Sequence, residues 1–455
     1  MLQRTNYNPG DDELLELISS NSLNRNQDIA DMLRLLMNID KGLSIFLDGD
    51  WGSGKTYFVR SLKIVIDNLN TGPDVLPAGI NMIASNAFKG NTSWHCDYLP
   101  VYYNAWSCDY WGDPLASIAC TLAAEVDEVR LESKPSDNKV IKTALKALME
   151  LTFNCCIPGL GSAIDKTAQA MEAEDLLDAF KKRSSLRNSV AEAVNLVLKE
   201  RADKLLLIVD ELDRCEPRFA CKLLEELKTL FDLDNVVVLH SLNTEQLAHV
   251  IEGQYGAGFN GSRYLSKFYD ITVPIRTVDM DDYLAHREMN PSYQSSLVIK
   301  SIVEAHEMSL RETNRLIDIC KPNLDRLDDA HNTNEAVFRV SFMDTVVAGI
   351  RVSNPAAYDR LINKGDCSVF TTEVKGSKEI KNCFVETFGR CIKPDDYRSM
   401  IDDENRIDEF IDAVAALRWT NQFDKKNAAY KTIDEVENCC LIPMIESENP
   451  LSLPH

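Results

Sequence analysis

The segment Gly49-Asp50-Trp51-Gly52-Ser53-Gly54-Lys55-Thr56 constrains this chain more than any other feature. It matches the pattern GxxxxGK[ST], and its setting is the one that pattern requires. The apolar run Ser44 to Asp48 reads as a buried strand, and YFVRSLKIVIDNL after the loop carries helical periodicity. Strand, glycine-rich turn and helix in that order expose backbone amides at a helix N-terminus, where they curl around a phosphate. Residues Gly49 to Tyr57 are therefore the expected nucleotide-binding segment. Lys55 is expected to reach the β and γ phosphates, and the Thr56 hydroxyl to coordinate Mg²⁺.

A second segment, LLLIVDELDRCEP from Leu205 to Pro217, supplies the complementary chemistry. A strand apolar throughout and ending in two acids delivers both carboxylates to the carboxyl edge of a sheet, where ligands bind. Asp210 is the expected metal residue, and Glu211 the base that orients and polarises the attacking water. The plainer reading is that both acids cap the following helix. Asn243 closes a third apolar run, VVVLHSLN. It can help to position the water or simply cap the helix TEQLAHVI, and the sequence leaves both open.

The apolar runs VYYNAW (101–106) and DITVPI (270–275) add two more strands. Several fully apolar strands, each followed by a helix, predict a parallel sheet covered on both faces. The expected fold class is thus α/β: a three-layer P-loop nucleotidase sheet with a helical insertion and a C-terminal helical domain. The boundaries expected are a core over residues 1–276, with the insertion at about 130–200, and a helical lid and C-terminal domain over 277–455. Residues 11–40 read as helices, and 70–100, rich in Asn, Gly and Pro, as a surface connection.

Composition narrows the function classes. With 49 basic against 71 acidic residues the net charge is −22, which argues against sequence-independent nucleic-acid binding. Lys181-Lys182-Arg183 with Arg187 is the best candidate for a local basic patch, and it reads as the solvated face of a helix. Thirteen cysteines are scattered without zinc spacing, and the start lacks the order of a secretory signal, so reduced thiols in a cytoplasm are expected. No unbroken apolar run reaches the ~18 residues of a membrane span. The nearest, Leu151 to Ile164, is broken by Asn154, Pro158 and two glycines. His240, in a strand, reads as a satisfied core residue.

Cationic side chains able to contact a γ-phosphate are harder to choose. Arg311, with Arg315 four residues on, lies in a late helix; Arg263 and Lys267 precede the last strand and could project toward a neighbouring subunit's nucleotide.

Five segments in order, DWGSGKT, YYNAW with Asp113-Pro114, VDELDRCEP, YLSKFYDITVPI and SLRETNRLI, resemble the KAP family of P-loop nucleotidases over about residues 10–320. That family is similar to the AAA+ and STAND nucleotidases. The resemblance implies an additional-strand sheet, a helical lid, ATP as nucleotide, Asn243 as first sensor and Arg311 as second. Family members usually carry two aspartates where Asp210-Glu211 stands, and many carry membrane helices between the two main motifs. The soluble bacterial members resemble components of host-defence or phage-exclusion systems. The function expected is Mg²⁺-dependent ATP hydrolysis coupled to conformational change or assembly, with self-association or a protein partner. The alternative is a slow ATP-binding switch that recruits a protein partner.

Overall fold

The computed structural model describes residues 10–21, 23–71, 76–88, 94, 96–130, 173–230, 233–256, 258–290, 293–328, 334–391, 397–398, 401 and 403–419. These divide into two units, one within Asn6–Val278 and one within Asp279–His455. The stretch 151–164 and the adjacent pairs Cys155-Cys156 and Cys439-Cys440 lie outside the described residues.

The first unit is built on five strands among the described residues: β1 (Leu43–Asp48), β2 (Tyr98–Asn104), β3 (Lys204–Asp210), β4 (Val236–Leu242) and β5 (Ile271–Pro274). All pair in parallel, in the order β2-β3-β4-β1-β5. Strand β4 therefore stands between β1 and β3, the additional-strand arrangement that the resemblance implied.

Side chains alternate between the two faces of a strand, so a sheet covered on both sides needs apolar residues at consecutive positions. Strand β3 shows this. Leu205, Leu207 and Val209 enter one core, while Leu206 and Ile208 enter the other. The first core is completed by helices Pro114–Arg130, Ala173–Arg201, Pro217–Leu230 and Thr244–Tyr255. The second is covered by Asp11–Ser20, Asn26–Met37, Lys55–Asn70 and Ala78–Ala87. Three layers result, each buried aliphatic side chain contributing about 1.5–3 kcal/mol.

Two sequence expectations need correction. The stretch 70–100 is not only a connection, because Ala78–Ala87 is a helix whose Ile80 and Ile83 are buried. Its Gly and Asn residues obscure the pattern: Gly79 packs on the backbone of Ser19 so closely that a Cβ there would lie 2.6 Å from the Ser19 Cα. The strand expected over 101–106 ends at Asn104, and Ala105–Cys108 turns helical, with the Asn104 side chain accepting from the Ser107 amide at 2.8 Å.

The second unit is helical among its described residues. Its core is aromatic: Phe338, Phe342, Phe370, Phe384, Phe388 and Phe410 are buried, with Phe384 and Phe388 stacked at 5.2 Å between ring centroids. These six come from helices Ser368–Gly376, Lys378–Gly389 and Glu404–Trp419 and from a π-helical turn, Phe338–Asp344.

Candidate nucleotide site

Parallel strands place their carboxyl ends at one edge, and there the chain gathers most of its buried charges. Strand β1 runs into the loop Gly49–Gly54, and helix Lys55–Asn70 begins at the lysine itself. Gly52 and Gly54 take φ of 81° and 91°, a region that side-chain-bearing residues rarely adopt. Gly49 is required for a different reason, since a Cβ there would lie 2.3 Å from Ile275 Cγ2.

Lys55 is buried, and its ammonium donates to the carbonyls of Gly49 at 2.5 Å and Asp50 at 2.8 Å. Burial pushes its pKa down, against the pull of Asp213, Asp210, Asp48 and Asp50. The lysine thus rests on its own loop, amid carboxylates that favour its charged form. Ser53 Oγ is buried without a hydrogen-bond partner in the same loop, an atom whose need a ligand oxygen can meet.

Asp210 ends β3 and is 1% exposed. Its carboxylate accepts a hydrogen bond from Tyr102 Oη at 2.9 Å, and the hydroxyls of Ser241 and Thr56 lie beside it. Burial pushes the carboxyl above the usual range, and the hydroxyls of Ser241, Thr56 and Tyr102 oppose the rise. The two sequence motifs therefore meet through Thr56 and Asp210. One hydroxyl and one carboxylate form a hard oxygen set that fits Mg²⁺, which commonly takes few protein ligands and completes its shell with phosphate and water.

Glu211 departs from strand geometry, with φ of 60°. One carboxylate oxygen accepts from Asn104 Nδ2 at 3.0 Å, and the other pairs with Arg214 at 2.9 Å. Asn243 takes the capping role and also reaches the phosphate loop. Its Oδ1 caps helix Thr244–Tyr255 by accepting from the Gln246 amide, and its Nδ2 donates to Asp50 Oδ1 at 3.2 Å.

Several contributors at this edge were missed by motif reading. Asp213 is buried and accepts from Trp51 Nε1 at 2.6 Å and from the Asn243 amide at 3.1 Å, tying the phosphate loop to the turn after β3 and to the end of β4. Arg25 is 2% exposed and donates to the carbonyls of Ser53, at 2.9 Å, and Arg276, at 2.5 Å. Tyr102 and Asn104 reach the acids because β2 pairs with β3 in a register that sets Asn104 against Asp210. The second Asp of DELD was the only local signal for any of these.

The remaining candidates fall elsewhere. Arg263 is exposed on the short helix Gly261–Leu265, and the Lys267 ammonium lies 5.5 Å from the centroid of the Tyr264 ring. Among the described residues no hydrogen bond or ion pair joins either to Gly49–Tyr57. Arg311 and Arg315 share helix Leu310–Asp328 of the second unit. Arg187, from the basic cluster, pairs with Glu226 at 2.6 Å. His240 is buried edge-on to Phe46, but its Nδ1 has no hydrogen-bond partner, so it is a core residue and not a satisfied one. Burial drives its pKa down to about 3, and the ring is neutral. The nine described cysteines are free, and among the described residues no helix is long and apolar enough to cross a membrane.

No curated protein matches this chain. Among solved structures, that of PCH-2 from C. elegans aligns with 87% of this chain and 71% of that one, at 10% identity and a TM-score of 0.23. The model of the KAP family P-loop domain matches residues 25–320, the span that contains every part of the site described above. Matched over more than half its length, the chain belongs to the KAP family of P-loop nucleotidases.

Proposed function

We propose that this chain hydrolyses ATP with Mg²⁺. The observation that carries the reading is the meeting of Thr56, at the first turn of the phosphate helix, with Asp210 from another strand, and with Glu211 beside them. Thr56 and Asp210 would hold the metal, which when bound neutralises charge on the phosphate oxygens. The amides at the start of helix Lys55–Asn70 would bind the phosphates, with the loop Gly49–Gly54 as cradle. Lys55 would exchange the Gly49 and Asp50 carbonyls for phosphate oxygens. Glu211 would orient the attacking water and take its proton, and Asn243, joined to Asp50, would help to position that water. On sequence grounds alone, Arg311 and Arg263 are assigned to the γ-phosphate, Arg263 from a second copy of the chain. Coupling to assembly or to a protein partner, and a place in a bacterial defence or phage-exclusion system, rest on the family resemblance.

One observation favours a slower device. Both Glu211 oxygens are already engaged, which suits a switch whose ATP-bound state persists and recruits a partner. Mg²⁺-dependent turnover across a range of protein concentrations separates the two. Lys55→Ala and Glu211→Gln should each reduce turnover by about 10²-fold or more, with Glu211→Gln still holding ATP. Wild-type protein that binds ATP without turning it over at any concentration would sink the enzyme reading and leave the switch.

A further inference from the structure

We infer that Arg214 is a positioning residue that restrains Glu211, so that turnover requires the Arg214–Glu211 pair to open; this rests on the reading of Glu211 as the base. Glu211, Leu212, Asp213 and Arg214 form a tight turn, with the Arg214 amide donating to the Glu211 carbonyl at 3.2 Å. In a three-residue turn, side chains three apart lie one above the other. That geometry brings the guanidinium to one Glu211 oxygen at 2.9 Å, with 27% and 15% of the two side chains exposed.

The two grips on Glu211 are not equal. Asn104 contributes a neutral amide hydrogen bond to one oxygen. Arg214 contributes a cation, which occupies the other oxygen and stabilises the carboxylate more strongly. A base must present an oxygen to its water within hydrogen-bond reach. The stronger grip therefore has to open first.

Arg214 is also held from its far side. Its guanidinium carbon lies 5.6 Å from the centroid of the Trp106 ring, and Trp106 is 51% exposed. Asn104 ends β2, and Trp106 stands two residues on in helix Ala105–Cys108. A single short segment thus bears on the base twice, directly through Asn104 and through Arg214 by way of Trp106.

Steady-state ATP turnover and equilibrium binding of a fluorescent ATP analogue test this on the full chain. Arg214→Ala should raise kcat about fivefold, the change that ~1 kcal/mol of a partly screened ion pair produces, with KM within about twofold of wild type. Arg214→Lys should fall between the two. Trp106→Ala should act in the same direction but less, and Trp106→Phe, which keeps a ring face, should restore most of the restraint. If Arg214→Ala does not fold, Arg214→Lys and Trp106→Ala carry the same sign. A wild type that turns over ATP while Arg214→Ala is equal or slower overturns the restraint alone. Silence of every variant with ATP bound overturns both this inference and the ATPase reading.

Discussion

The two units bury different things. Within Asn6–Val278, four of the five buried charged side chains among the described residues, Arg25, Lys55, Asp210 and Asp213, lie around one edge of the sheet, and the fifth, Glu226, pairs with Arg187. Within Asp279–His455, the buried polar residues among those described are uncharged, and three of the hydroxyls turn back onto nearby backbone: Thr313 to the Ser309 carbonyl, Thr345 to Val340, Thr387 to Cys383. Hydroxyls satisfied this way add little strain and no field. Buried charges are expensive unless each is matched, so their concentration at one edge marks where the chain holds its chemistry. The phenylalanine core of the second unit is a packing device.

That contrast can be broken experimentally, most severely in the second unit. Phe384→Ala should cost about 3–5 kcal/mol, because a ring packed against Phe338, Phe342 and Phe388 leaves a cavity. Chemical denaturation read from that unit's unfolding transition measures it. A loss under about 1 kcal/mol would mean that the core repacks freely and that the contrast is overstated.

Asp344 sharpens the same point from the charge side. Burial raises its pKa from 3.8 to about 6, with Arg339 and Arg418 opposing the rise. A carboxyl raised in the folded state favours the bound proton, so its contribution to stability falls as pH climbs from about 4 to about 6 and stays low above. Asp344→Asn should recover about 1–2 kcal/mol at pH 7 and nothing at pH 4. Thermal melts of both proteins at the two pH values test the sign, and an equal effect at both would refute the assignment to burial.

The smallest expected effect lies in the first unit. Trp51→Phe removes the indole N–H that meets Asp213 at 2.6 Å and leaves that buried carboxylate with the Asn243 amide. ATP affinity should weaken about fivefold, with a loss of stability of about 1 kcal/mol. Unchanged affinity by equilibrium titration would show that the tether does not shape the phosphate loop.

How much of this was legible in advance depends on distance along the chain. The phosphate loop, the acids at the end of β3 and the three-layer sheet are local patterns, each contained within one strand and the turn that follows it. Asn104 was quoted in a motif but given no role, because nothing in YYNAW says that its amide meets Glu211. The register of β2 against β3 decides that. Arg25 was invisible for a similar reason: it precedes the phosphate loop in a separate helix-forming segment, and only folding sets its guanidinium beneath Ser53.

The sequence by itself determined which backbone must curl around a phosphate and which acids stand at the sheet's edge, since glycine placement and apolar runs act through neighbours in the chain. Tertiary structure alone decided the partners of those groups. Lys55 rests on its own loop, Asp213 holds Trp51, and Glu211 lies between Asn104 and Arg214. The Lys55 and Arg214 contacts are local, and the second depends on a tight turn at a backbone φ of 60° that no periodicity signals. The contacts of Asp213 with Trp51 and of Glu211 with Asn104 join residues from different strand ends, and strand register and layer packing bring those together.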